Sequence, residues 1–400
     1  MPLGPFTTEE VGALLGDPDV ALLSEAALRA VRDGGFSPVA EAMEGIGRGR
    51  IPGSLLRKAA FAASVQGLSP RLARIPDAKT LPDVLVERFS LEAERCAERG
   101  RRIVGRLGDT LSLLASAGVE AIPLKGAALL LRGEVPAGLR PMGDLDLLLA
   151  DPAHVGKAAA ALTRSTPYRP FLDTPRHLVL AEEHEAVPSP AGEHAGNPLR
   201  IELHRSFRLP VLGVVLDATE ALVRDAETTF DGFRLPSDAA MLRHLWHHAA
   251  EDFAARGLRG VQALDFLDRA RRTGPLPAEI LAEDTPAAAP LLYAADGLER
   301  LFPGTFDPAS LARLAARVPP LLRERAGALP VLRHARPARG LTLTGLSLAP
   351  SRRAQARFLL RNAFPTLGEV KANVAPGAGG LALRLAWVRV LARRFSGLAR

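Results

Sequence analysis

Apolar residues recur at helical spacing through roughly the first 118 residues, and then the period changes. Thr7 or Thr8 is placed to cap a helix opening with Glu9, Glu10 and Val11. Amphipathic stretches at 21–32 and 54–66 are separated by Gly or Pro, and a long helix is expected over 82–117, ended by Gly118. Beyond it, Glu120-Ala-Ile-Pro-Leu124 predicts a short strand, and Lys125-Gly126 a turn into a helix at 127–132. A Pro- and Gly-rich loop at 133–141 leads to Asp144-Leu-Asp-Leu-Leu-Leu149. Four of the five residues after Asp144 are Leu, so this run predicts a strand buried on both sides. Asp151-Pro152 opens a helix at about 152–164. Extended segments at 183–188 and 199–207, joined by a Gly- and Pro-rich loop, predict a hairpin with a long connection. From Ser237 the pattern is helical again, most clearly over Asp238–Ala255 and 260–271. The expected fold class is α+β. A small mixed sheet at 119–236 lies between helical regions at 1–118 and 237–330, and a basic segment occupies 331–400.

Four hundred residues exceed what one compact core usually holds, so two or three structural units are expected. Arg outnumbers Lys by 46 to 5, a general skew, so Arg richness alone does not indicate phosphate recognition. Residues 331–400 hold twelve Arg and one Lys against a single acid, or +12; with +7 overall, −5 is left for residues 1–330. The basic character thus belongs to the C-terminal segment, and the acidic balance of the remainder argues against nucleic acid crossing the site. One cysteine, Cys96, excludes an internal disulfide framework and fits a reducing compartment. No signal pattern opens the chain and no apolar run reaches the roughly 18 residues of a spanning helix, so a bacterial-type cytoplasmic protein is expected.

Three pieces of the central region carry chemistry. Asp144 and Asp146 sit two apart on a strand and so leave it on the same face, where their repulsion is relieved by a divalent cation. An Asx turn before a surface strand would also use two acids, but solvated acids have no need of the Leu-rich strand. Lys125-Gly126 at a strand exit lets a phosphate approach the backbone, although a bland strand-to-helix turn has the same form and no P-loop spacing is present. In Leu199-Arg-Ile-Glu-Leu-His-Arg205, Ile201 and Leu203 face one side while Glu202 and His204 share the other. Paired beside 144–149, that strand brings Glu202 to the two Asp residues; alone it is an amphipathic edge strand.

With Pro123-Leu-Lys-Gly126, Arg140…Asp144-Leu-Asp146, His184 and Ile201-Glu-Leu-His204, the chain resembles an uncharacterised bacterial nucleotidyltransferase family, written LKG…R…DxDLL…H…ELH, of the superfamily with the DNA polymerase β-like palm. The resemblance covers about 80–270. It implies Lys125 and Gly126 at the triphosphate, Asp144 and Asp146 on Mg²⁺ (or Mn²⁺), Glu202 as third carboxylate, and Arg140 as a phosphate or substrate contact. It implies an NTP, ATP foremost, and an acceptor whose identity it leaves open. The chain departs from the superfamily in having Lys-Gly in place of Gly-Ser or Gly-Gly, and in a longer gap from Gly126 to Asp144. Members tend to carry His and then Asp on the next two helices, here His247 or His248 and Asp265; with His184 and His204 these would frame an acceptor pocket or serve as core hydrogen-bonding groups. Two rival activities remain open: a degenerate nucleotide-binding sensor or complex partner, and an RNA-directed transferase gripping through its basic C-terminus.

Other features carry less. His244, His247, His248 and Glu251 crowd one helix, but without HExxH a polar helix face explains them as well as zinc does. Residues 381–400 alternate apolar positions with Arg384, Arg389, Arg393 and Arg394. A helix packed on the body is favoured there over peripheral membrane or RNA contact.

Overall fold

A computed structural model describes residues 3, 6–76, 80–183, 194, 196–228, 232–255, 257–276, 288–329, 331–332, 343–364, 370 and 379–396. The N-terminal helices are α1 (Thr8–Leu14), α2 (Pro18–Asp33), α3 (Ser37–Gly47), α4 (Gly53–Val65), α5 (Ser69–Leu72) and α6 (Asp83–Ser116). Thr7 caps α1 in a reciprocal capping box with Glu10, so Thr7 rather than Thr8 ends that helix. The 34 residues of α6 make a rod about 51 Å long. Gly118, at φ 61°, takes the left-handed turn beyond it.

The sheet is mixed: β1 (Ala121–Pro123), β2 (Asp144–Leu149), β3 (Tyr168–Asp173), β4 (His177–Glu182) and β5 (Arg200–His204) lie in the order β1-β2-β5-β4-β3. Only β2 and β5 run parallel, with Asp146 opposite Glu202 and Leu148 opposite His204. Helix α7 (Lys125–Leu131) follows β1, and α8 (Val155–Ser165) joins β2 to β3. Strand alternation sorts the sheet into two faces. Leu145, Leu147, Leu149, Leu178, Leu180, Ile201 and Leu203 pack with Ile103, Leu107 and Leu111 of α6 and Leu162 of α8. The opposite face carries Asp144, Asp146, Glu202, His204 and His177, while Leu148 joins a second, larger core built from the N- and C-terminal helices. The polar face is therefore enclosed between two cores.

Two hairpins, β6/β7 (Arg208–Val211, Val214–Asp217) and β8/β9 (Ala226–Thr228, Arg234–Pro236), flank α9 (Thr219–Arg224). Among the described residues, the helices that follow are α10 (Asp238–Ala255), α11 (Gly260–Thr273), α12 (Ala288–Leu301), α13 (Pro308–Ala316), α14 (Pro320–Gly327), α15 (Leu343–Leu348), α16 (Arg352–Ala363) and α17 (Gly380–Ser396). The α+β expectation holds.

The expected hairpin is corrected. The partner of 199–207 is β4 at 177–182, itself paired with β3, whereas 184–188 lie outside the described residues. Pro170 and exposed Phe171 disguised β3; an edge strand tolerates a Pro because its outer side needs no N–H. Thr174 makes the turn, its hydroxyl accepting from the Arg176 and His177 amides. Helix α17 meets expectation in part: it contacts α16 and is part-buried at Leu383, Ala386, Trp387 and Val390, but Leu381, Leu385 and Val388 are exposed. No helix among the described residues is long and apolar enough to cross a membrane.

Candidate functional site

Parallel pairing of β2 with β5 assembles the site, because only that register sets Asp146 beside Glu202 with Asp144 one step away on the same face. Asp146 is the hub. Its Oδ1 accepts a hydrogen bond from Lys125 Nζ at 2.8 Å and lies 2.9 Å from His204 Nε2. That imidazole nitrogen is also 3.4 Å from Glu202 Oε2. His177, directly across β4 from His204, stands edge-on to it with ring centroids 5.3 Å apart. Ligand atoms of His177, Glu202 and His204 all lie within 4.8 Å of one another.

Lys125 reaches Asp146 from an uncommon backbone position, φ 47°, where side chains other than Gly are disfavoured. It begins α7 directly after β1, and β1 pairs with β2 in the antiparallel register Pro123 opposite Leu147. The left-handed residue thus turns the ammonium across to the neighbouring strand. Gly126 is required for a different reason. A Cβ there would lie 2.6 Å from Arg140 Cζ and 2.8 Å from Met142 Sδ. Arg140 is itself fixed, Nη2 to Asp265 Oδ2 at 2.7 Å and Nε to the same oxygen at 2.9 Å, in an ion pair that is almost wholly buried. Its Nη1 is the edge turned toward Gly126.

The charges in this site perturb one another strongly. Burial, then the charge of Asp146, pushes the Asp144 carboxyl up to about 6. Burial also opposes ionisation of Asp146, but Lys125 and the His204 hydrogen bond outweigh it and hold its carboxyl well below the usual range. Lys125 is desolvated yet its pKa is raised, since Asp146, Asp144 and Glu202 all face it. For His204 the carboxylate hydrogen bonds overcome burial and raise the pKa, whereas burial lowers His177 to about 4. Two neighbouring carboxylates thus differ in kind, Asp146 firmly ionised and Asp144 the last to lose its proton.

Arg99 of α6, which the sequence pattern did not single out, holds the entrances of both central strands. The buried guanidinium donates to the Met142 carbonyl at 2.6 Å and the Asn197 carbonyl at 2.8 Å, with longer bonds to the carbonyls of His194, Gly143 and Pro198. His177 was also missed, because β4 was not recognised. A strand parity argument from Leu178 and Leu180, once 177–182 is taken as a strand, would have put His177 on the face of His204. His244, noted in the sequence only as part of the His-rich helix face, is fully buried beneath the site with its ring centroid 4.1 Å from that of Phe207. Burial keeps it neutral.

Of the residues expected from sequence, Lys125, Asp144, Asp146, Glu202 and His204 come together, and Arg140 and Gly126 adjoin them. Lys125 contacts a carboxylate, where a phosphate contact was expected. Asp265 holds Arg140. His248 turns instead to Asp252, Nδ1 to Oδ2 3.3 Å, and His184 lies outside the described residues. Among the described residues, the His244–Glu251 face forms no metal-ligand cluster: Glu251 pairs with Arg176 at 3.2 Å.

Neither the curated proteins nor the solved structures contain a match to this chain. The model of one protein family, described as an uncharacterised nucleotidyltransferase, matches residues 54–283, which include α6, the whole five-stranded sheet, α10 and α11. That span is more than half of the sequence and contains every residue of the site, so the chain belongs to this nucleotidyltransferase family.

Proposed function

We propose that the protein is a metal-dependent nucleotidyltransferase that moves a nucleoside monophosphate from an NTP, ATP foremost, to an acceptor, on a sheet of the DNA polymerase β-like palm type. The observation that carries this reading is the convergence of Asp144, Asp146 and Glu202 on one sheet face through the β2–β5 register. The residues fit a hard divalent cation: three carboxylates supply the oxygen ligands that Mg²⁺ or Mn²⁺ takes, and the site already draws the Lys125 ammonium and the His204 imidazole against them. Asp144, Asp146 and Glu202 would hold the metal, which when bound supplies neutralisation of the triphosphate and of charge developing on the leaving pyrophosphate.

The chain's own groups do the rest. Arg140, clamped along one edge by Asp265, keeps Nη1 beside Gly126, whose missing side chain makes room for the guanidinium at the start of α7, where it can meet a phosphate oxygen. Lys125 holds Asp146 ionised and is the ammonium nearest the carboxylates. In-line attack by the acceptor hydroxyl on the α-phosphorus forms the new P–O bond and breaks the bond to pyrophosphate, and Glu202 is positioned to take the hydroxyl proton. Residues 119–236 form the catalytic unit in this reading. Helices α10 and α11 face its polar side, as an acceptor domain would. The acceptor is a small molecule or a protein side chain.

A pyrophosphate-release screen of the four NTPs with Mg²⁺ or Mn²⁺, beside Asp144→Asn and Asp146→Asn, tests the assignment. Turnover in wild type that both variants lose supports it, and unchanged turnover in both overturns it. One observation favours a second reading, a nucleotide sensor without turnover: Asp146 Oδ1 is already satisfied by Lys125 and His204. In that case nucleotide raises the melting temperature while no pyrophosphate appears.

A further inference from the structure

The two imidazoles beside Glu202 are an unusual addition to a carboxylate site for Mg²⁺, which prefers oxygen donors and keeps much of its water. His177 and His204 are cross-strand neighbours in the β4–β5 ladder, and Glu202 lies two residues along β5 on the same face. Strand geometry therefore places all three donors without help from loops. His204 is completely buried, and its Nδ1 and that of His177 are buried without a hydrogen-bond partner. His204 Nε2 is 2.9 Å from Asp146 Oδ1 and 3.4 Å from Glu202 Oε2. Adjacent ligands on a single ion with bonds of about 2.1 Å stand roughly 3 Å apart, so His204 and Glu202 are spaced as donors to one metal, and a His177 nitrogen lies within 4.8 Å of both.

We propose that His177, Glu202 and His204, with Asp146 at the margin, form a binding site for a divalent first-row transition metal, Mn²⁺, Co²⁺ or Zn²⁺, that sits beside the Asp144 carboxylate. Imidazole nitrogen favours these ions over Mg²⁺, and two His with one carboxylate is a common donor set for them. The inference rests on the reading of Glu202 as a metal ligand. It gives the site two kinds of cation preference: oxygen-rich at Asp144, nitrogen-rich at His177.

Co²⁺ and Mn²⁺ are the probes, used with the full chain. Wild type titrated with Co²⁺ should show visible absorption from nitrogen-ligated metal, and electron spin-echo spectra of the Mn²⁺ complex should show ¹⁴N coupling from imidazole. His177→Ala, at a half-buried position, should weaken Co²⁺ binding at least tenfold and reduce the ¹⁴N signal. Asp144→Asn should keep both signals while losing turnover, which separates this inference from the nucleotidyl-transfer reading. Absence of ¹⁴N coupling in wild type, a measurement needing no variant, overturns the proposal, as does equal Co²⁺ affinity in wild type and His177→Ala. In that case His204 serves only as a hydrogen-bond donor between two carboxylates.

Discussion

Replacing Arg99 by Met should destabilise the protein by about 3 kcal/mol. Arg99 is 2% exposed and its strongest bonds are the two shortest, to Met142 at 2.6 Å and Asn197 at 2.8 Å. A hydrogen bond to a charged group is worth roughly 1.5–3 kcal/mol net, so these two contribute about 4 kcal/mol. The three longer bonds, at 3.2 to 3.4 Å, add little. Against this stands the desolvation of a buried cation, which lowers the Arg99 pKa and which Met avoids. The carbonyls left behind differ in fate. Asn197 keeps a bond from Arg102 Nη1 at 2.9 Å and Gly143 is exposed to water, so Met142 is the acceptor that loses its partner indoors. Urea denaturation followed by circular dichroism measures the loss. Arg99→Lys, with one nitrogen in place of three, should recover less than half of it. Because Arg99 ties the approach to β2 to the approach to β5, turnover should fall further than the population of folded protein explains. A loss below about 1 kcal/mol in Arg99→Met, or full recovery by Lys, would refute the clamp.

Further outcomes follow from the same geometry. Asp144→Asn should abolish turnover yet make the metal-free protein more stable at pH 7, because the folded state raises this carboxyl to about 6 and so disfavours its charge; a melting temperature in EDTA lower than wild type would contradict this. His247 is buried and its pKa falls to about 4 from 6.5, so neutral imidazole stabilises the fold above pH 6.5 and that stability is lost as pH drops toward 4, by about 3 kcal/mol. His247→Gln should flatten this part of the acid-denaturation curve. Gly126→Ala drives a methyl against Arg140 and Met142 and should weaken NTP binding at least tenfold by calorimetry, with circular dichroism unchanged.

Much of the site was legible because its information is local. Alternation alone separated Ile201 and Leu203 from Glu202 and His204, and the Leu run of β2 marked a strand buried on both faces. Gly118 ended α6 as its position implied. What was not legible depends on pairing at a distance. Arg140 meets Asp265 across 125 residues and Arg99 meets Asn197 across 98, and nothing in either neighbourhood encodes the partner. The Asp146 partner of Lys125 was hidden for the same reason: local context suggested phosphate, and only the β1–β2 register brings Asp146 within reach. β3 failed on local grounds, since Pro170 interrupts the pattern that reveals strands elsewhere.

The Arg140–Asp265 pair bears on how far this chemistry can be carved from its surroundings. A segment cut at residue 236 would keep all three carboxylates, Lys125 and Gly126, yet leave Arg140 with no counter-ion and lose α10 and α11 from the polar side of the sheet. An Arg freed in this way would turn to the nearest acids, among which Asp144 and Asp146 already feel its charge. Chimeras and minimal versions should therefore be drawn to include Asp265, and a grafted sheet alone should bind its own arginine where it ought to bind nucleotide.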